Sequence, residues 1–168
     1  MLQAGGLAGS DIDARRRLCA ARDNGDAAER LQRMVGLLGG PDDLLDRPAR
    51  ILPYAPHRVP VLAGQAGAVA AIDARALGIA LVALGGGRRR PGEGIDVRVG
   101  IDGIAAVGTS VDADTPLAVI HGADSAACAA LQQHVRQAFR LAEQARATPL
   151  LLERIAMPEA AETLEASG

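Results

Sequence analysis

This chain of 168 residues contains no lysine, because each of its 18 basic residues is an arginine. A Schiff base, the lysine of a phosphate-binding P-loop and the lysine that carries biotin or lipoate all require a side-chain amine, so these chemistries are excluded for this sequence. Aromatic residues are almost as scarce, with one Phe, one Tyr and no Trp. We therefore expect a core of Leu, Val, Ile and Ala, and no base stacking on aromatic side chains.

Cysteine is also rare, and there is no strong excess of charge of either sign. Cys19 and Cys128 lie far apart and form no CxxC pair, which predicts reduced thiols rather than a disulfide or a metal framework. The formal net charge of -2 gives no overall attraction to nucleic acid or to an anionic membrane. No signal peptide and no apolar run long enough for a membrane span are visible. We therefore expect a cytoplasmic protein without nucleic-acid or membrane partners.

The first 45 residues predict a pair of helices. A cap formed by Ser10 and Asp13 opens a helix that continues to about Arg22. A second helix begins at Asp26 and ends at a Gly-Gly-Pro sequence. Its apolar stripe consists of Leu31, Met34, Val35 and Leu38. Such a hairpin exposes one apolar face, so we expect it to dock on other material.

The rest of the chain predicts a small domain of short strands. Residues 46–62 are rich in Pro and Arg and are interpreted as a linker, whose end at 59–62 starts a strand. Residues 63–156 form the domain, and residues 157–168 are expected to be a disordered tail. Further strands are predicted at 67–72, 97–101, 104–107, 117–120 and 150–155, and helices at 74–84 and 125–146. The last helix is expected to turn four residues toward the core: Ala129, Val135, Phe139 and Ala142.

These elements define the predicted fold class, which is α+β. An N-terminal helical hairpin is followed by a small α+β domain with a barrel-sandwich-like antiparallel sheet and packing helices. The run at 107–120 also resembles half of a biotinyl or lipoyl barrel. A carrier function is excluded because the attachment lysine is absent, so the similarity concerns sheet architecture alone.

A glycine-arginine segment, residues 85–94, follows the central helix, and we call it the arginine loop. Three glycines end the helix, and Arg88, Arg89 and Arg90 follow where the backbone is free to bend. Guanidinium groups present a planar fork of donors to phosphate oxygens. The three arginines are therefore candidates for contacting phosphate or a sugar phosphate. The alternative is a solvated surface run, since the spacing is not that of a P-loop.

The other polar residues suggest no catalytic centre and no metal site. Glu93 and Asp96 are expected to form exposed ion pairs with the arginines of the loop, and a role as bases is the alternative. Three histidines are not spaced as metal ligands and are expected to be structural: His57, His121 and His134. The expected turn formers are Asp102, Asp112 and Asp114. We expect neither a metal nor a cofactor.

An ordered series of motifs links these elements. It comprises DNGDAA at 23–28, RMV at 33–35, GP at 40–41, DARALG at 73–78, LGGGRRRPGEGIDVRVGI at 84–101 and PLAVIH at 116–121. The series resembles the C-terminal part of the thymidine phosphorylases, in the pyrimidine nucleoside phosphorylase family, and covers nearly everything from Leu2 to about Arg154. Full-length proteins of that family extend much further toward the N-terminus, so the chain resembles only their last portion.

The resemblance implies a fold and an activity. Residues 1–45 correspond to the end of the family's α/β domain, which holds the substrates, and residues 63–156 to its C-terminal α+β domain. The arginine loop would lie beside the substrate cleft and close over it. The implied reaction is pentosyl transfer, in which thymidine and phosphate give thymine and 2-deoxyribose 1-phosphate, in a homodimer that needs no cofactor.

The resemblance also implies what this chain does not hold. The family binds phosphate through a Lys, Ser and Thr set and the pyrimidine through an Arg, Ser and Lys set, both upstream of the matched portion. We therefore expect no catalytic residue in this chain, no activity of the chain alone, and association with an N-terminal portion. Two alternatives stay open: a freestanding structural or complementing module, and a phosphorylase with a different base preference, such as uridine or a nucleoside monophosphate.

Overall fold

The computed structural model describes residues 1–147, 149, 152, 153 and 155. The chain divides into two compact units, Met1–Pro56 and the part that begins at His57. Within the described residues, no helix is long and apolar enough to cross a membrane.

The first unit is helical and contains α1 (Asp11–Asp23), α2 (Asp26–Leu37) and the short α3 (Pro48–Ile51). The hydroxyl of Ser10 accepts a hydrogen bond from the Asp13 amide at 3.2 Å, which confirms the predicted cap. Neither α1 nor α2 has a buried residue. The side chains of Leu37 and Leu38 are each 80% exposed. The predicted hairpin and its exposed apolar face are therefore present in this unit.

The second unit contains two three-stranded antiparallel sheets and two helices. The strands are β1 (His57–Leu62), β2 (Gly67–Ile72), β3 (Gly100–Asp102), β4 (Ser110–Val111), β5 (Pro116–Gly122) and β6 (Phe139–Ala142). The helices are α4 (Ala74–Ala83) and α5 (Ser125–Gln137). One sheet has the order β1-β5-β3 and the other β4-β2-β6. The predicted α+β class is confirmed, and the sheets of the described residues do not close into a barrel.

The core of this unit lies where β5 and α5 pack together. Leu117 and Ile120 of β5 and Val135 of α5 are buried, together with Val61 of β1 and Val69 of β2. The Gln132 side chain of α5 donates to the Pro60 carbonyl at 2.9 Å and fastens the helix to β1. As expected from the composition, aliphatic side chains dominate this core.

Several predicted elements need correction. The last helix ends at Gln137 rather than 146, because the chain leaves it to pair with β2 as β6. Val135 and Phe139 are buried as predicted, but Phe139 belongs to β6, and Ala129 and Ala142 are exposed. Residues 104–107 form no strand. Of the strand predicted at 97–101, only residues 100 and 101 pair with β5, and the pairing extends to Asp102. The strand predicted at 150–155 and the tail fall largely or wholly outside the described residues.

Candidate functional site

Helix α4 leads directly into the arginine loop. The Asp73 carboxylate accepts a hydrogen bond from the Ala76 amide at 2.9 Å and starts the helix, as its position predicts. Leu77 and Ala80 anchor the helix in the core. The helix stops before Gly85, whose φ of 98° lies in the left-handed region that glycine adopts without strain. The loop therefore begins at a fixed point, the end of a helix that two buried residues anchor in the core.

The tip of the arginine loop is a tight turn. The sequence Arg90-Pro91-Gly92-Glu93 places Pro at the second position and Gly, with φ of 83°, at the third position, which is the pattern of a type II turn. The Glu93 amide closes this turn on the Arg90 carbonyl at 3.2 Å. The chain reverses direction here, and Glu93 returns toward the arginines.

The carboxylate of Glu93 binds the backbone of the loop. Its Oε2 accepts hydrogen bonds from the amides of Arg89 at 2.6 Å and Arg90 at 3.1 Å. The prediction that Glu93 forms an ion pair with the arginines is therefore wrong. The turn brings the carboxylate to the main chain instead, where two amides satisfy one oxygen.

The three arginines of the loop are all exposed, but their surroundings differ. The Arg89 guanidinium donates to the carbonyl of Ala83, the last residue of α4, at 3.0 Å. That carbonyl is one of those that an α-helix leaves without an internal partner, and a cation is favourable at this end of a helix. In the part of the chain that the structure describes, Arg88 and Arg90 have no such side-chain hydrogen bond and no salt bridge.

The exit from the loop is held by Asp96 and Arg98. The Asp96 amide donates to the Gly85 carbonyl at 2.9 Å and closes the segment at its base. The Asp96 carboxylate receives Nε of Arg98 at 2.9 Å and Nη2 at 2.8 Å. This bidentate pair, with the Arg98 amide, lowers the pKa of Asp96 from 3.8 to about 2. Asp96 thus pairs with Arg98 and not with the loop arginines, and so acidic a carboxyl group is a poor base.

The histidines lie far apart along the chain and in different elements. His57 starts β1 and His134 lies on an exposed face of α5. His121 lies inside β5, between β1 and β3, because β5 extends beyond the strand predicted at 117–120. Its Nε2 lies 2.9 Å from Oδ1 of Asp102, but the geometry is not that of a hydrogen bond. Across the described residues, no group of three or more His, Cys, Asp or Glu side chains is placed to hold a metal ion.

The aspartates differ in role. Asp112 forms the expected turn, since its carboxylate accepts from the Asp114 amide at 3.1 Å and from the Thr115 hydroxyl at 2.7 Å. These contacts lower the pKa of Asp112. Asp102 instead ends β3 and faces His121. Sequence reasoning missed that contact, because its two residues lie on strands whose pairing is nonlocal.

The chain matches known proteins over most of its length. Residues 68–142, which include the arginine loop, match the family described as "Pyrimidine nucleoside phosphorylase C-terminal domain". Thymidine phosphorylases of Burkholderia cenocepacia (strain HI2424) and Burkholderia orbicola (strain AU 1054) are each 47% identical over 155 residues, which is 92% of this chain and 35% of each relative. The thymidine phosphorylase of Burkholderia lata is 46% identical over the same length.

The chain therefore resembles the C-terminal part of thymidine phosphorylase, as the motif series indicated. It spans about a third of the length of the curated relatives it matches, with 35% of each covered.

Proposed function

We propose that this chain is the C-terminal portion of a thymidine phosphorylase, which converts thymidine and phosphate to thymine and 2-deoxyribose 1-phosphate. The observation that carries this proposal is the 47% identity to thymidine phosphorylases over 155 residues. The arginine loop lies within the matched domain and supplies exposed guanidinium groups of the kind that hold phosphate oxygens.

The second unit serves as a brace that presents the arginine loop to the substrate cleft. Its core fixes α4, the end of α4 fixes the start of the loop at Gly85, and the Gly85 carbonyl in turn holds Asp96. Phosphorolysis also needs phosphate placed behind the anomeric carbon and a site that stabilises the negative charge on the departing base. The family fills those needs with lysine-containing sets, and this chain has no lysine. We therefore expect the chain alone to be inactive.

The first unit is proposed to complete its packing against an N-terminal portion of the enzyme. Leu18, Leu31, Met34, Leu37 and Leu38 are exposed on its helices or directly after them. Burial of apolar surface stabilises by about 25 cal/mol per Å², so a face of this kind favours association. This observation also supports a complementing module, in which the N-terminal portion is a separate polypeptide.

The test is a chimera with the Burkholderia cenocepacia (strain HI2424) relative. This chain replaces the segment that it matches, and thymine release from thymidine and phosphate is measured. We expect activity from the chimera and none from the isolated chain above a vector-only control. Mixing the chain with the remaining portion of the relative distinguishes a complementing module, because activity on mixing needs no covalent link.

Two outcomes contradict the proposal. One is phosphorolysis by the isolated chain. The other is a chimera that has the secondary structure and the size of the relative but releases no thymine. This chimera does not test base preference, because the relative provides the residues that bind the pyrimidine.

A further inference from the structure

The four arginines between Gly85 and Arg98 are not equivalent, and the two carboxylates of this segment account for the difference. Asp96 is engaged by Arg98 in a bidentate pair. Glu93 is engaged by two backbone amides and not by a guanidinium. Neither carboxylate therefore neutralises Arg88 or Arg90.

Arg89 has a structural contact that fixes its direction. Its guanidinium reaches back to the carbonyl of Ala83, while its amide is held by Glu93 at 2.6 Å. Both ends of this residue are therefore fastened within the loop and its helix. The exposed side chains of its two neighbours, Arg88 and Arg90, are left to meet a ligand.

Glu93 determines this arrangement because it holds two successive amides with one oxygen. A carboxylate that accepts backbone hydrogen bonds is a strong and directional partner. The turn that precedes Glu93, closed by its own amide on the Arg90 carbonyl, gives the carboxylate a short path to those amides. Without Glu93 the backbone at Arg89 and Arg90 loses these two hydrogen bonds, and Arg88 and Arg90 must be ordered when a ligand binds.

We propose that Glu93 is a positioning residue that holds the arginine loop so that Arg88 and Arg90 together bind the oxygens of a phosphoryl group. Arg89 fastens the loop to α4 and does not contact the ligand. The inference rests on the proposed function for the identity of the ligand, which is inorganic phosphate or the phosphate of the sugar product. Two guanidinium forks suit such a group, since each donates two parallel hydrogen bonds.

The first experiment measures the KM for phosphate and, in the reverse direction, the KM for 2-deoxyribose 1-phosphate in the chimera. The double variant Arg88→Ala with Arg90→Ala is expected to raise one or both by about tenfold or more, the effect of losing charge-assisted hydrogen bonds, with the KM for thymidine unchanged. The control is Arg75→Ala with Arg140→Ala, which removes the same charge from two other exposed sites of the second unit. A rise only in the KM for phosphate identifies inorganic phosphate as the ligand. A rise only in the KM for 2-deoxyribose 1-phosphate identifies the sugar phosphate. Unchanged values in both directions overturn the proposal.

The second experiment separates positioning by Glu93 from its charge. Removing a carboxylate beside an anion site should lower the KM for phosphate if charge alone acts, whereas loss of the backbone contacts should raise it. We expect Glu93→Ala to raise the KM by roughly two- to tenfold. Glu93→Gln, whose amide oxygen still accepts both hydrogen bonds, should stay near the unsubstituted value. The exposed Glu143→Ala is the charge-matched control. A lowered KM in Glu93→Ala, or equal values in both Glu93 variants, refutes the positioning role.

The third experiment uses the isolated chain and needs no activity. Hydrogen exchange at the amides of Arg89 and Arg90 should be faster in Glu93→Ala and restored in Glu93→Gln. Inorganic phosphate should shift the NMR signals of the Arg88 and Arg90 side-chain Nε–H groups more than that of Arg89. An inactive chimera with these two results refutes the proposed function and leaves this site standing. An active chimera without them refutes the site alone.

Discussion

A side chain at Gly122, the last residue of β5, is expected to conflict with a single neighbouring atom. A Cβ built at Gly122 overlaps the Sγ of Cys128, while its next neighbours, in Asp124 and Leu84, lie at 3.7 Å, an ordinary contact distance. Cys128 is fully buried on α5, so its thiol has no free space to move into. The steric conflict is thus confined to a single pair of residues.

The magnitude follows from two opposing effects of Gly122→Ala. Overpacking a buried site costs about 1–3 kcal/mol. Replacing Gly with Ala lowers the conformational entropy of the unfolded chain and so stabilises the protein by about 0.4–1 kcal/mol where the backbone conformation suits Ala. Gly122 meets this condition, because its φ is not in the left-handed region. We expect a net loss of about 1–2 kcal/mol in the free energy of unfolding.

A double-mutant cycle tests the cause. Cys128→Ala alone should cost about 1 kcal/mol, because it leaves a methyl-sized cavity. In that background Gly122→Ala should be neutral or stabilising, since the new methyl group fills the space of the thiol. The expected coupling energy is therefore about 1–3 kcal/mol. Gly100→Ala in β3 is the matched control, because a Cβ there has no neighbour within 4 Å.

The assay should report on the second unit alone. Hydrogen exchange of the slowest amides in β5 gives the free energy of opening that strand, whereas the helices of the first unit would dominate a circular dichroism signal. Equal destabilisation by Gly122→Ala in both backgrounds would show that the overlap with Cys128 is not the cause. A cost for Gly100→Ala as large as that for Gly122→Ala would refute the steric argument altogether.

Three further predictions concern other parts of the chain. Gly108→Ala should cost about 2–5 kcal/mol in urea unfolding, because its φ of 92° strains any side chain and a Cβ would lie 2.6 Å from a backbone nitrogen. The pKa of Asp96 is lower in the folded protein than in the unfolded chain, so ionised Asp96 stabilises the fold above pH 3.8, and this stabilisation is lost as the pH falls through about 2. A carboxyl NMR titration should show a midpoint for Asp96 at about 2. Arg98→Ala should return that midpoint toward 3.8. Burial raises the pKa of the Cys128 thiol, so a thiol reagent at pH 8 should label the half-buried Cys19 first and Cys128 only after unfolding.

The elements that sequence predicted well are those with local signals. Ser10 and Asp73 mark helix starts because their side chains accept hydrogen bonds from amides three residues later, a contact that spacing alone defines. The end of α5 had no such signal. Residues 139–142 continue an apolar pattern compatible with a helix, and they form a strand because β2 pairs with them from about seventy positions earlier. A prediction that considers only neighbouring residues in the sequence does not detect such long-range strand pairing.

In the candidate site, too, some features have a local sequence signal and others depend on the folded backbone. The sequence located the three arginines in an irregular segment after the helix, but it did not distinguish Arg89 from its neighbours. That distinction depends on the path of the backbone, which returns Glu93 to two amides and brings the Arg89 guanidinium to the end of α4. The sequence predicts an ion pair for Glu93, with a role as a base as the alternative, but its carboxylate binds the main chain instead because the turn is tight.

The absence of lysine bears on how the arginine loop would act. A guanidinium group presents hydrogen-bond donors in a rigid planar fork, whereas an ammonium group is a compact point charge on a flexible stem. Backbone amides hold the carboxylate of Glu93 and Arg98 holds that of Asp96, so neither carboxylate pairs with Arg88 or Arg90. The strength of phosphate binding would therefore depend on where the loop holds these two guanidinium groups.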